Sequence, residues 1–138
     1  MKTAIVYWSG TGNTKAMAGA IAAGMKEKGA QADVFAVDEV NASIVNDYDK
    51  LALGCPSMGV EELEENEFAP FFDAVEAKLS GRKVALFGSY GWGDGEWMRN
   101  WFSRAQDAGA NLCGEGFIQQ DAPDEAACRD FGAQFADF

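Results

Sequence analysis

Short apolar runs alternate along this chain with longer stretches in which apolar positions recur every three or four residues. Thr3 to Trp8, Ala32 to Val37, Lys50 to Gly54, Lys83 to Gly88 and Leu112 to Ile118 are brief and rich in Val, Ile, Leu and Phe, and they read as five strands. Between them the period changes. Met17, Ile21 and Met25 recur at steps of four within Asn13 to Lys28, and Gly29 stands where a helix ends. A short second helix is expected after Asn41, with Ile44, Val45 and Tyr48 on one face. Phe68, Phe72, Val75 and Leu79 mark a third helix, and Trp97, Trp101 and Ala105 a fourth. A last helix, beginning near Pro123, turns Phe131 and Phe135 inward.

Strands that are apolar throughout are buried on both faces, which is the mark of a parallel sheet whose right-handed crossovers lay helices on each side. Five such units predict a doubly wound α/β fold with a five-stranded parallel sheet. The 138 residues suit one domain, 1–138. With 48% apolar residues the chain can bury roughly two thirds of the surface it exposes when unfolded, so it needs no disulfide or metal staple.

Composition removes many functions. The chain has no histidine, which excludes His-dependent triads, His-ligated metals and imidazole acid–base steps. Cys55, Cys113 and Cys128 are odd in number and far apart, against a disulfide framework or a zinc site, and they suggest a reducing cytoplasm and packing roles. A net charge of -11 repels nucleic acid and anionic membranes and favours basic protein partners. No stretch has the apolar length of a signal peptide core or a membrane span.

The chemistry is expected in three loops. Ser9, Gly10, Thr11, Gly12, Asn13 and Thr14 join the first strand to the first helix, offering hydroxyls, an amide and a run of backbone N–H groups at a helix N-terminus, an anion cradle. The turn carries neither the Gly-Lys-Ser/Thr of a nucleoside-triphosphate site nor G-x-G-x-x-G, since Lys15 holds the last position. A tight capped turn needs only Gly10 and Gly12, and the four other polar side chains favour phosphate. The second loop is Cys55 to Glu61, with Ser57, Met58, Gly59 and Val60, and the third is Ser89, Tyr90, Gly91, Trp92 and Gly93, running on to Gly95. Ligands of open α/β sheets bind beyond the carboxyl ends of the strands, where these loops would converge. Met58 and Trp92 could then enclose a planar aromatic ring, whereas Trp97 and Trp101, at helical spacing, belong to the core.

The runs Ile5 to Thr14, Gly54 to Gly59 and Ala85 to Gly93 closely resemble the short-chain flavodoxins of anaerobic bacteria, and the likeness extends over essentially the whole chain. An uninterrupted fifth strand from Leu112 to Ile118 is similar to that branch. The resemblance implies the sheet order 2-1-3-4-5 with FMN at the switch point; that order is the family's own and is carried over with the likeness. It further implies a low-potential one-electron carrier with non-covalent FMN, shuttling between semiquinone and hydroquinone, not an enzyme, binding no metal and exchanging electrons with reductases and low-potential acceptors as a monomer. By position, Ser9, Gly10, Thr11, Gly12, Asn13 and Thr14 would bind the phosphate. Ser57 belongs to the second loop, where Met58 would cover one flavin face; Trp92 would cover the other. Glu61 would accept from flavin N3–H, and backbone groups from Ser89 to Gly93, with Tyr90 and Gly91 among them, would meet the pyrimidine edge and ribityl chain. Asp121 would add a ribityl contact, although Gln119 to Ala122 departs from the family's usual sequence.

Two features bear on the potentials such a site would have. The family's Gly59 carbonyl would turn toward the flavin to accept the N5 proton, and in a turn from Met58 to Glu61 a type II form needs φ > 0 at Val60 whereas type II′ needs it at Gly59. A β-branched residue resists the former, so Val60 is expected to favour the latter. Between Lys50 and Lys78 there is no basic residue but seven acids: Glu61, Glu62, Glu64, Glu65, Glu67, Asp73 and Glu76. One charge about 6 Å from a developing anion costs roughly 2.8 kcal/mol at an effective dielectric of about 20, less when screened, which makes the fully reduced form strongly reducing. Most of these acids are expected to be a solvated helix N-terminus. A response regulator would need acids after the first strand and an Asp after the third, where Trp8, Ser9 and Cys55 stand, and the Cys-x5-Arg phosphatase pattern fails at all three cysteines. An FMN-dependent NAD(P)H:quinone reductase is the alternative that remains, with a non-redox flavin-holding module behind it.

Overall fold

The computed structural model describes residues 2–138. Strands β1 (Lys2–Tyr7), β2 (Gln31–Ala36), β3 (Lys50–Gly54), β4 (Lys83–Tyr90), β5 (Asn111–Leu112) and β6 (Phe117–Gln120) form a parallel sheet in the order β2-β1-β3-β4-β5, with β6 also paired to β4. Helices α1 (Asn13–Glu27), α2 (Phe68–Glu76), α3 (Glu96–Asp107) and α4 (Glu125–Asp137) cover its two faces. Alternation along each strand decides which residue meets which layer. Ala4, Val6, Leu51, Leu53, Val84 and Leu86 pack with Phe68, Phe72, Trp97 and Trp101, while Ile5, Ala52, Ala85 and Phe87 pack with Met17, Ile21, Met25, Phe131 and Phe135. Trp97 and Trp101 are thus core residues, as their spacing predicts.

Three local expectations are corrected. The predicted second helix is a 3-10 segment, Ala42–Asp47, begun by Asn41, whose side chain accepts the Ser43 N–H; Ile44 and Val45 are buried, but Tyr48 is extended and donates its hydroxyl to Asp33. The fifth strand is not continuous. From Val84 to Phe87 β4 advances three residues while its partner advances five, from Leu112 to Phe117, so two extra residues bulge out between β5 and β6. Gly114, at φ +63°, makes that bend in a conformation L side chains resist. The last helix starts after Asp124, which caps it by accepting the Ala127 N–H, and Pro123 lies outside it. Lys50 starts β3 as read, and its buried side chain donates to the carbonyls of Phe135 and Ala136 at 2.8 and 3.1 Å, closing the C-terminus of α4. Among the described residues no helix is long and apolar enough to cross a membrane.

Candidate functional site

Registers align the strand ends: Tyr7 lies beside Ala36 and Gly54, Gly54 beside Phe87, and Tyr90 beside Gln120. The loops after β1, β3, β4 and β6 therefore share one edge of the sheet. β1 leads through α1 to β2 on one side and has β3 on the other, so that edge is a switch point where consecutive crossovers diverge and leave a crevice.

The turn after β1 opens α1. Gly12 at φ +100° precedes the helix, and its N–H donates to Ser9 Oγ at 3.1 Å. Gly12 has no side chain to cap α1, and the first helical residues, Asn13, Thr14 and Lys15, include no acid. The leading N–H groups and the positive end of the helix dipole are left for an anion from outside. Thr14 is placed differently from its neighbours. Its hydroxyl is buried against the Ser89 hydroxyl at 2.8 Å, which ties the turn to β4 instead of facing outward.

The loop after β3 folds into a small hairpin. Met58 and Glu62 exchange both backbone hydrogen bonds at 2.8 Å, so the closing pair lies one residue beyond a Met58 to Glu61 turn and Gly59, Val60 and Glu61 form the loop. The four-residue type II′ turn expected from Met58 to Glu61 is therefore not formed: Gly59 (φ +55°) and Glu61 (φ +51°) both take left-handed conformations, and β-branched Val60 does not. Glu61 reaches across to the loop after β4, where its Oε1 accepts the Asp94 N–H at 2.9 Å. A Cβ on Gly93 would fall 1.6 Å from that oxygen, so the latch requires glycine there. Ser57 N–H donates to the Ser89 carbonyl at 3.0 Å, a second tie between the same loops.

Large apolar side chains remain uncovered on these loops: Met58 is 37% exposed, Trp92 63% and Val60 77%. Val60, Glu61, Trp92, Gly93, Asp94 and Glu96 line a hollow of about 360 Å³. A larger hollow of about 460 Å³ flanks the turn on its β2 side, between Trp8, Lys15, Asp38 and Glu67. Tyr90 packs its ring on Trp97, with centroids 5.6 Å apart. Asp121, at φ +56°, donates its N–H to the Tyr90 carbonyl at 2.8 Å and stands beside Gly91, so β6 brings it to the crevice.

Sequence reasoning missed the residues that tie these loops down. Glu64 is buried, not solvated, and its carboxylate caps α2. Glu67 accepts the Trp8 indole N–H at 3.1 Å, and Asp94, besides meeting Glu61, pairs with Arg99 at 3.0 Å. An acid four positions before the apolar run at Phe68 was the available signal for Glu64, hidden among identical neighbours. The acidic block is also less uniform in space than in sequence, because Arg104 of α3 pairs with both Asp73 and Glu76 of α2. The three cysteines are buried; burial pushes the Cys55 thiol up to about 12 and the Cys128 thiol to about 11, so both stay protonated and pack as apolar groups.

The sheet order and the crevice at its switch point define a doubly wound α/β protein of flavodoxin-like architecture, with an anion-receptive turn beside exposed aromatic and thioether side chains. The family model for flavodoxin matches residues 5–132. A flavodoxin from Clostridium beijerinckii is 49% identical over 134 residues, 96% of this chain and 97% of that one, and one from Megasphaera elsdenii is 46% identical over 93% of each. The solution structure of two-electron reduced Megasphaera elsdenii flavodoxin superposes with a TM-score of 0.91 at 46% identity and 99% coverage of both chains. Oxidised flavodoxin 1 from Bacillus cereus gives 0.88 at 30% identity, covering 99% of this chain and 98% of its own. The chain belongs to the flavodoxin family and is an FMN-based electron-transfer protein, not an enzyme with a substrate of its own.

Proposed function

We propose that this chain is a low-potential one-electron carrier and that its three loops hold FMN in the roles their positions suggest. The observation that carries the reading is the uncapped, acid-free N-terminus of α1 opening into a crevice whose other loops expose Met58 and Trp92. The donor set fits the cofactor. Neutral N–H groups and hydroxyls suit a phosphate dianion, and the uncovered thioether and indole suit the two faces of a flat ring. Bound there, FMN supplies electron storage in single steps through its isoalloxazine ring.

In this reading the backbone N–H groups of Gly10, Thr11, Asn13 and Thr14, with the hydroxyls of Ser9 and Thr11, bind the phosphate, while the Gly12 N–H holds Ser9 in place and the Thr14 hydroxyl stays on Ser89. Met58 and Trp92 exclude water from the ring faces. Glu61 spends one oxygen on Asp94, leaving the other to accept the flavin N3–H. Ser57 and Ser89 hold the loops in register, and Gly91, Gly93, Tyr90 and Asp121 border the ribityl and pyrimidine edges. The Gly59 carbonyl would accept a hydrogen bond from an N–H at flavin N5, and Val60, which has no positive φ while Gly59 does, favours a loop in which glycine carries it.

Half-buried Glu61 and exposed Glu62, Glu65 and Glu67 make a second negative charge on the cofactor costly and attract partners that present Lys and Arg, whose association weakens with salt. The same charge is unsuited to nucleic acid, and the reading places the chain in the cytoplasm as a monomer. An anaerobic dithionite titration tests it. One FMN per chain and a long-wavelength absorbance at half reduction are expected. Direct passage to the fully reduced spectrum, with oxidation of NADPH by the protein alone, would instead make it a two-electron reductase.

A further inference from the structure

The segment between β3 and α2 carries a carboxylate that none of these roles uses. Glu64 is only 5% exposed. Its Oε1 accepts the N–H groups of Glu67 and Phe68 at 2.8 and 2.9 Å, and its Oε2 that of Asn66 at 2.8 Å. The Glu64 N–H donates to Cys55 Sγ at 3.4 Å, and its carbonyl accepts the Ala69 N–H at 2.8 Å. Compensation of this kind is what lets a carboxylate leave water, and it also fixes the chain. Cys55, just past β3, and the first turn of α2 meet on this one residue. Pro56 to Leu63, which include Met58, Gly59 and Glu61, are strung between those fixed ends.

A second connection runs the other way. Glu67, whose N–H Glu64 holds, accepts the indole N–H of Trp8 at 3.1 Å, and Trp8 immediately precedes Ser9 of the phosphate turn. Glu64 therefore lies at the root of both walls of the crevice while facing neither.

We propose that Glu64 is a positioning residue of the flavin site, holding the Met58–Glu62 hairpin and, through Glu67 and Trp8, the phosphate turn in the arrangement that binds FMN. The inference rests on the site reading given above. It makes a claim that charge alone does not, because Glu65 is the next residue, exposed, and carries the same charge without the bonds.

The experiment compares the FMN-loaded parent with Glu64→Ala, Glu64→Gln and Glu65→Gln, reading the FMN Kd by flavin fluorescence, the fraction half reduced at the titration midpoint, and the urea midpoint of the flavin-free chains. Glu64→Ala is expected to raise the Kd roughly 10- to 100-fold and to change the half-reduced fraction by at least about twofold, as a misplaced binding group does. Glu64→Gln, which keeps the volume and one acceptor, falls between it and the parent and stands in for it if the alanine variant does not fold; Glu65→Gln keeps the FMN Kd within about twofold of the parent. A lower urea midpoint with the Kd and half-reduced fraction unchanged would overturn the proposal and leave Glu64 a stability residue. Equal shifts in Glu64→Gln and Glu65→Gln would overturn it in favour of charge. Failure of the parent to bind FMN would overturn the site reading itself.

Discussion

The N-termini of α1 and α2 open at the same edge of the sheet and are completed in opposite ways. At α2 the Glu64 carboxylate accepts the N–H of Phe68, the first helical residue, and those of Asn66 and Glu67 just before it, while the Glu64 carbonyl accepts that of Ala69, so the chain itself supplies the anion. α1 begins after a glycine, has Asn, Thr and Lys in its first positions, and keeps its N–H groups available. Both ends have the same partial positive charge, so what separates a structural terminus from a binding terminus is whether the chain supplies the anion itself. In the proposed site the closed terminus serves the open one by fixing the loop that stands beside it.

The largest effect should come from taking the ligand's anion away. Riboflavin, which lacks the phosphate, is expected to bind at least about a thousandfold more weakly than FMN, close to 4 kcal/mol, by fluorescence titration. Equal affinities would mean that α1 receives nothing. Giving α1 its own acid should make it resemble α2: Asn13→Asp is expected to weaken FMN roughly a hundredfold while raising the stability of the flavin-free chain by about 0.5 kcal/mol, opposite signs that a merely damaged fold would not give.

Closing the comparison from the other side uses pH. Burial alone would raise the Glu64 carboxyl, but its bonds from Phe68, Asn66 and Glu67 outweigh that and hold it below the ordinary range. A group depressed in the folded state contributes stability in full above its unfolded value, about 4.3, and loses it as pH falls through the folded value. The urea midpoint of the flavin-free chain should thus decline as pH drops below about 4.3, and decline less steeply in Glu64→Gln. The smallest effect belongs to α4, capped through a bond of 3.3 Å by Asp124, which has no part in the proposed site. Asp124→Ala should cost about 0.5 kcal/mol and leave the FMN Kd within about twofold.

Much of the fold was legible because local pattern and tertiary role agree. Strand runs of Val, Ile, Leu and Phe must be buried on both faces, and Phe68, Phe72, Trp97 and Trp101 can share a core only on helices that face the sheet. That the three loops gather at one sheet edge was legible too, since each follows a parallel strand. Less legible were features set by one or two residues, such as the bulge at Cys113 to Gly116 or the 3-10 segment after Asn41, where period carries no information over so short a span.

By itself, the sequence determined the layered α/β architecture, the three loops and the excess of negative charge, because each follows from residue type and spacing along the chain. Only the tertiary structure decided what each acid does. Glu61, Glu64, Glu67 and Asp73 lie within one acidic run, yet one latches two loops, one is buried as a helix cap, one holds Trp8, and one is paired with Arg104 from the neighbouring helix. A carboxylate's role is set by the donors around it, and here those donors come from residues as distant as Trp8, Asp94 and Arg104.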